Sequence, residues 1–267
     1  MNRRPFLQKI SLIGTSFMTM PFVGYGNMDF PKATRLKFIT ASDGHWGQPD
    51  TDYETSHSNL IEAIHREKDV DFVVFNGDLI HDDPTLLPQV REVYGRLQVP
   101  YYVTRGNHDR VSEEDFRKIM GQTTNFSFKV KDSGILLLDC SNEKGEYLCA
   151  DQDFAKSILD EYASLAHVFI FVHISQNDWT RNGVPCTDFL NLITSYPNVR
   201  ATFHGHDHDI DGQMIYRRKP FLWSGHFGGN WGNPFPSYRV CEVGEDGKVI
   251  SYLKTVKDGS ILNGHTL

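Results

Sequence analysis

The chain reads as an α/β protein of two stacked sheets with helices outside, formed as one continuous domain. Three observations predict this. From about residue 35, short apolar runs alternate with amphipathic segments. From Gln213 to Lys254 the pattern becomes a series of strand-like runs of the antiparallel kind. No internal repeat, low-complexity run or long linker breaks the 267 residues, a length able to bury a substantial core.

The elements follow in order. Leu36 to Ala41 reads as a strand. Ser58 to Glu67 reads as a helix, because Leu60, Ile61 and Ile64 share one face. Val70 to Phe75 is an apolar run of the kind found in buried strands. Pro84 to Leu97 reads as a helix that opens on proline, a good first-turn residue. Pro100 to Thr104 is a strand. Ser112 to Met120 is a short helix, with Ser112 as cap and acids in its first turn. Asn125 to Val130 and Gly134 to Asp139 form a hairpin around Lys131, Asp132 and Ser133. A helix near Asp153 to Leu165, a strand at Val168 to Val172, a helix at Thr187 to Thr194 and a strand at Val199 to Phe203 complete the alternation.

The first residues read as a processing element rather than as part of the fold. Asn2 to Lys9 contains Arg3 and Arg4 and resembles a twin-arginine export signal. Ile10 to Val23 follows, too short and too polar to span a membrane as a stable helix. Gly24, Tyr25 and Gly26 suit a small-x-small cleavage site. Residues 1–26 are thus expected to be an export signal with a periplasmic destination, and 27–267 the domain. The bland alternative is a frayed terminus with two chance arginines. The formal net charge of -7 argues against a dedicated nucleic-acid partner, which usually carries a basic stripe. It does not exclude phosphate substrates, because bound metals can reverse the local field. None of the four cysteines, at 140, 149, 186 and 241, lies in a CxxC pair. In an oxidising compartment Cys140 and Cys149, which flank a polar turn over 141–147, are placed to pair; the alternative is four buried or free thiols.

Five segments end in metal-binding or proton-handling residues. They are Asp43-Gly44-His45, Gly77-Asp78, Gly106-Asn107-His108-Asp109, His173 and Gly205-His206-Asp207-His208. Each is common alone: Asp43 as a turn former, the Gly-Asp and Gly-Asn pairs as turns, His173 as a core histidine. Together they supply the nitrogen and oxygen ligands of a two-metal hydrolase site, with no cysteine nearby. Asp43, Asp78, Asn107, His173 and His206 each follow a predicted strand, and that edge is where open α/β sheets bind ligands.

This ordered set resembles the calcineurin-like metallophosphoesterases from about Arg35 to Arg239. The resemblance implies a four-layer α/β/β/α sandwich of two mixed sheets flanked by helices. It implies that Asp43, His45, Asp78 and His208 hold one metal, and Asp78, Asn107, His173 and His206 a second, with Asp78 bridging. The two divalent or trivalent ions would be manganese, iron or zinc. Two such ions about 3.5–4 Å apart share a water and acidify it. They carry about +4, offset by two aspartates and a hydroxide, which leaves roughly +1 to meet an anionic phosphate. Asn107 adds a neutral oxygen and preserves that balance.

The implied activity is hydrolysis of a small phosphoester, mono- or diester and nucleotides included. The bridging hydroxide attacks, and His108 stabilises the transition state or protonates the leaving oxygen. Many family phosphatases orient this histidine with an aspartate three residues after the bridging one. Here that position is His81, followed by Asp82; Asp82 or Asp109 would then substitute. The run from Gly77 to His81 instead resembles the family's nuclease branch, in which this histidine faces the substrate. A surface turn is the plain reading of His81. A nuclease and a non-catalytic scaffold of the same fold are the competing functions. The segment Ile174 to Asn177 lacks the His-Pro run of many cyclic-nucleotide phosphodiesterase-like members.

Further features are read beside the ordered set. His204 is an outer partner of the ligands or packing. His57 and His65 read as helix-surface residues. Trp46 floors the site mouth or packs. The segment Ser224 to Gly232 shapes a leaving-group pocket or is turn chemistry, and it is no P-loop. The stretch Pro236 to Arg239 reads as a strand start without a catalytic role.

Overall fold

The computed structural model describes residues 30–267, so the predicted signal over 1–26 lies outside the described residues. Period-two alternation sorts each strand's side chains onto two sides of its sheet. In β1 (Thr34–Ala41), Leu36 and Phe38 face one way, Ile39 and Ala41 the other. In β2 (Phe72–Asn76), Phe72 and Val74 join the first set, Val73 and Phe75 the second. Such strands are buried on both faces, and this requires a layer on each side.

The layers are two six-stranded sheets with helices outside. The first sheet also holds β3 (Tyr101–Thr104), β10 (Ser237–Gly244), β11 (Val249–Thr255) and β12 (Ile261–Thr266), in the order β12-β11-β10-β1-β2-β3. Its outer face packs on α1 (Tyr53–Arg66), α2 (Leu87–Tyr94) and α3 (Glu113–Met120). The second holds β4 (Phe126–Val130), β5 (Ser133–Leu138), β6 (His167–Val172), β7 (Val199–His204), β8 (Gln213–Tyr216) and β9 (Lys219–Trp223), in the order β4-β5-β6-β7-β9-β8. Its outer face packs on α4 (Gln152–Glu161) and α5 (Thr187–Ser195). Between the sheets lies an aromatic core. Phe38 has ring centroids 5.1 Å from Phe72, 5.0 Å from Phe169 and 5.7 Å from Phe203. The expected four-layer sandwich of two mixed sheets is therefore present.

Several boundaries differ from expectation. The first helix starts at Tyr53, not Ser58, because the Asp52 carboxylate accepts from the Thr55 N–H and caps it there. The helix expected over 84–97 is a 3-10 turn, Pro84–Leu86, followed by α2, which stops before Gly95. The helix expected to reach Leu165 ends at Glu161. The tail is not wholly antiparallel, since β9 pairs parallel with β7. The edge strand β12 has no apolar alternation and went unpredicted; its pairing with β11 defines it. His57 is buried rather than on the surface, with its ring 4.8 Å from Phe227 and 5.0 Å from Trp46. Trp46 packs in the same core and donates Nε1–H to Gln89.

The cysteine pairing is also corrected. Cys149 is joined to Cys186, while Cys140 and Cys241 are buried free thiols. Cys140 follows β5 into the core, where its sulfur accepts from the Ile174 N–H at 3.2 Å. Sequence proximity to Cys149 is outweighed by the direction in which the strand carries Cys140. Among the described residues no helix is long and apolar enough to cross a membrane.

Candidate metal centre

Strands β1, β2 and β3 run parallel, as do β5, β6, β7 and β9, so their C-terminal ends gather at one edge. Every candidate ligand follows such an end. The loops after β1 and β2 hydrogen-bond to each other: Asp43 N–H to the Gly77 carbonyl at 3.1 Å, and His45 N–H to the Asp78 carbonyl at 3.0 Å. The chain turns sharply there. Asp43, His45, Asp78 and His206 hold φ of 60°, 46°, 50° and 66°, left-handed values that cost energy in non-glycine residues and cluster at functional sites. The neighbouring glycine follows from crowding. A Cβ on Gly106 would lie 2.2 Å from the backbone nitrogen of Asp78, so only glycine lets the two loops meet.

Two trios of donor atoms result, each within metal-binding reach: Asp43, His45 and His208, and Asp78, His173 and His206. They adjoin. His45 Nε2 lies 3.0 Å from His208 Nε2 and 3.7 Å from Asp78 Oδ2. His173 Nε2 lies 3.2 Å from Asp78 Oδ2 and 3.9 Å from Asp43 Oδ1. The amide oxygen of Asn107 is buried and without a hydrogen-bond partner, as are Nε2 of His173 and of His206.

Outer partners fix the rings. His173 Nδ1–H donates to the Asn76 carbonyl at 2.6 Å and His208 Nδ1–H to the Trp231 carbonyl at 3.2 Å, which leaves a lone pair on each Nε2. Backbone N–H groups hold the carboxylates: His206 N–H donates to Asp43, and His108 N–H to Asp78 Oδ1 at 2.8 Å. The residues fit a metal. Donor atoms of two carboxylates, four imidazoles and one amide converge, and buried polar atoms without partners cost about 1–3 kcal/mol each. Such a donor set suits manganese, iron or zinc.

The electrostatics agree. Burial pushes the Asp43 carboxyl up, but His208 and His173 outweigh it and hold it at about 2. Burial also opposes the charge on His173, yet the carboxylates of Asp78 and Asp43 draw its pKa up to about 10. Burial prevails at His45 and His206, whose pKa values fall to about 3 and about 4. Two buried carboxylates thus pull positive charge into the cluster, the demand that a cation meets.

His108 stands beside the trios, its ring 5.0 Å from that of His45. Its Nδ1–H donates to Asp82 Oδ1 at 3.0 Å, and Arg110 Nε holds the same oxygen at 2.8 Å. Asp82 therefore sits where an orienting aspartate is needed. Asp109 does not: its carboxylate is buried and accepts from the N–H groups of Leu79, Ile80 and Gly106 at 2.7, 3.0 and 2.6 Å. His81 is no free surface residue. Its ring stacks on His108 at 5.0 Å, and its Nδ1 lies 3.1 Å from Nδ1 of His45. His45, His81 and His108 form a third donor group, but one without a carboxylate. His204 faces Phe221 and Trp223 and donates to the Val172 carbonyl, a packing role. His65 is exposed. Two aromatic residues join the site, Trp231 from the segment Ser224 to Gly232 already singled out and Tyr147, which escaped sequence reasoning. Trp231 stacks on His208 at 4.2 Å and Tyr147 meets His206 at 4.8 Å. Nothing local marks Tyr147.

Residues 36–209 match the family model described as calcineurin-like phosphoesterase. The fold is similar to a dimetal phosphatase from Danio rerio, at 14% identity and a TM-score of 0.69, over 87% of this chain and 98% of that one. It is similar to the purple acid phosphatase PPD1 from yellow lupin, at 14% identity and 0.63, over 89% of this chain and 54% of the other. It is also similar to the calcineurin-like phosphoesterase YfkN from Bacillus subtilis, at 14% identity and 0.50, over 88% and 90%. No curated protein matches the chain by sequence.

Proposed function

The chain belongs to the calcineurin-like phosphoesterase family, and from that premise we propose that it hydrolyses a phosphoester at a two-metal site. Asp43, His45, Asp78 and His208 would hold one ion, and Asp78, Asn107, His173 and His206 the other. One observation carries the reading: two donor trios adjoin at one sheet edge, with the Asn107 oxygen buried and unpaired between their loops. When bound, such an ion pair supplies an acidified water and positive charge toward a phosphoryl group.

The chain's own residues supply the rest. Hydrolysis breaks the bond between phosphorus and the leaving oxygen and joins the oxygen of one water to phosphorus. The leaving oxygen then needs a proton. As an imidazolium His108 presents one at Nε2 while its Nδ1–H stays with Asp82, and giving it up leaves the neutral ring protonated at Nδ1. Asp82, steadied by Arg110, holds the Nδ1–H and offsets the charge on the ring. The buried trios exclude bulk water from the donor atoms, which strengthens every charge interaction there.

His81 favours this reading over a nuclease. Its Nδ1 is directed at a metal ligand and not outward to a polynucleotide. Export is part of the proposal: the disulfide between Cys149 and Cys186 suits an oxidising compartment. The test is turnover of one chromogenic mono-ester and one di-ester after loading with manganese, iron or zinc, beside Asp78→Asn. Turnover lost in the variant is expected, and the preferred ester identifies the reaction. No turnover with any of the three metals overturns the proposal.

A further inference from the structure

Two exposed aromatic side chains stand over the ligand cluster. Trp231 is 41% exposed and Tyr147 is 44% exposed. Tyr147 meets His206 edge to face. Trp231 lies flat on His208, its plane only 10° from the imidazole's. It also reaches the rings of His45, His81 and His108, at 4.8, 6.3 and 6.4 Å. An indole carries one of the largest hydrophobic gains available on burial, so leaving it partly in water over a charged cluster forgoes stability.

The loop is shaped to hold that indole in place. Gly232 has φ +98°, and a Cβ there would lie 2.3 Å from the Cβ of His208, so no other residue fits behind the ring. His226 stacks on His208 at 4.8 Å and 16°, and its two ring nitrogens bond to the carbonyls of Gly228 and Asn233 on either side of Trp231. Gln48 Nε2 donates to Asn230 at 3.0 Å and ties the loop to the His45 segment. The result is a fixed, partly open ring beside the candidate proton donor.

We propose that Trp231 is the specificity wall for the leaving group, and that the substrate is a phosphoester whose leaving group carries a planar aromatic ring. The inference rests on the phosphoesterase reading above. The side is set by His108: the oxygen that receives its proton lies within its reach, so the group bonded to that oxygen passes Trp231 and not Tyr147. A planar ring laid on the indole would extend a stack that already contains His226 and His208. A nucleobase and a simple aryl ring share this chemistry. Stacking of one such ring is worth on the order of 10–100-fold in affinity.

The experiment compares kcat/KM of the manganese-loaded full chain for three esters: a nucleoside monophosphate, phenyl phosphate and glycerol phosphate, used as mono- or di-esters according to the chromogenic assay. Wild type should favour the two ring-bearing esters. Trp231→Ala should lose about 10–100-fold on them, within a few fold nothing on glycerol phosphate, and Trp231→Phe should restore most of the loss. The glycerol arm and metal content guard against damage to His208, whose carbonyl partner at residue 231 survives either change. An advantage for the nucleotide over phenyl phosphate assigns a nucleobase; equality assigns any aryl ring. Equal loss on all three esters overturns the wall and leaves the phosphoesterase reading standing. If no ester is turned over with manganese, iron or zinc, that reading fails, and calorimetric binding of the same esters to metal-loaded His108→Ala, with and without Trp231→Ala, still decides: equal affinity for all three overturns the wall.

Discussion

His45 and His81 face each other through their Nδ1 atoms, 3.1 Å apart. One of the two must donate. If Nε2 of His45 gives its lone pair to a metal, its proton sits on Nδ1, and His81 is the acceptor. Burial and the neighbouring His108 lower the pKa of His81, which keeps it neutral and able to accept. His81 thus orients a ligand. Replacing it with alanine should weaken metal loading about 10–100-fold and change KM for substrate little once metal is saturating. Metal titration followed by turnover checks this; unchanged loading with lost turnover would restore a role at the substrate.

The pair formed by His108 and Asp82 predicts a coupled loss. His108→Ala should lower kcat by about 10²–10⁴-fold with metal content unchanged. Asp82→Ala should lower it in the same step but by less. The double variant should be no worse than His108→Ala alone, because residues that act as a unit do not add. Additive losses would show that Asp82 acts elsewhere.

Asp109 predicts a loss of stability ahead of any catalytic effect. Burial first, and then the charge of Asp78, push its carboxyl up to about 7, and three backbone N–H groups end on it. Asp109→Ala would leave those donors buried and unpaired, at about 1–3 kcal/mol each. A large drop in the thermal midpoint is expected. Asp109→Asn, which keeps an acceptor oxygen, should fall less.

The disulfide ties the segment before α4 to the start of α5, across 37 residues of chain. Reduction should lower the unfolding free energy by about 2–4 kcal/mol, read as a shift in the denaturant midpoint, and Cys149→Ser should abolish the response to reductant. The cell-made protein should also lack its first 26 or so residues, a cleavage position read from the small-residue rule. An intact Met1 on N-terminal sequencing would remove the export proposal.

Glu67 predicts a pH dependence away from the site. Burial raises its carboxyl, but hydrogen bonds from Lys254, Lys37 and Tyr238 outweigh this and hold it below its ordinary 4.5. A carboxyl lowered in the folded state stabilises the fold above its unfolded value, and that stability is lost as pH falls through the folded one. Glu67→Gln should therefore unfold more easily than wild type at neutral pH, with the difference shrinking below about pH 4.5.

The candidate ligands, their order and their position after strand ends were legible in the chain, because each is a local event: an apolar run stops, a glycine turns the chain, a polar residue follows. Two stacked sheets with helices outside were legible in the alternation of apolar runs with amphipathic segments, while the four-layer sandwich of two mixed sheets was implied by the family resemblance. What the chain alone did not reveal depends on which strands become neighbours. Placing β1 between β10 and β2 sets the loop of Trp231 against His45 and buries His57 beneath Phe227. Cys149 finds Cys186 and not the nearer Cys140 because β5 carries Cys140 inward. His81 turns to His45, and Asp82 rather than Asp109 to His108, because two loops hydrogen-bond along their backbones and fix where each side chain points. Those partners are far apart in sequence, and no periodicity encodes contact between segments that meet only when two sheets stack.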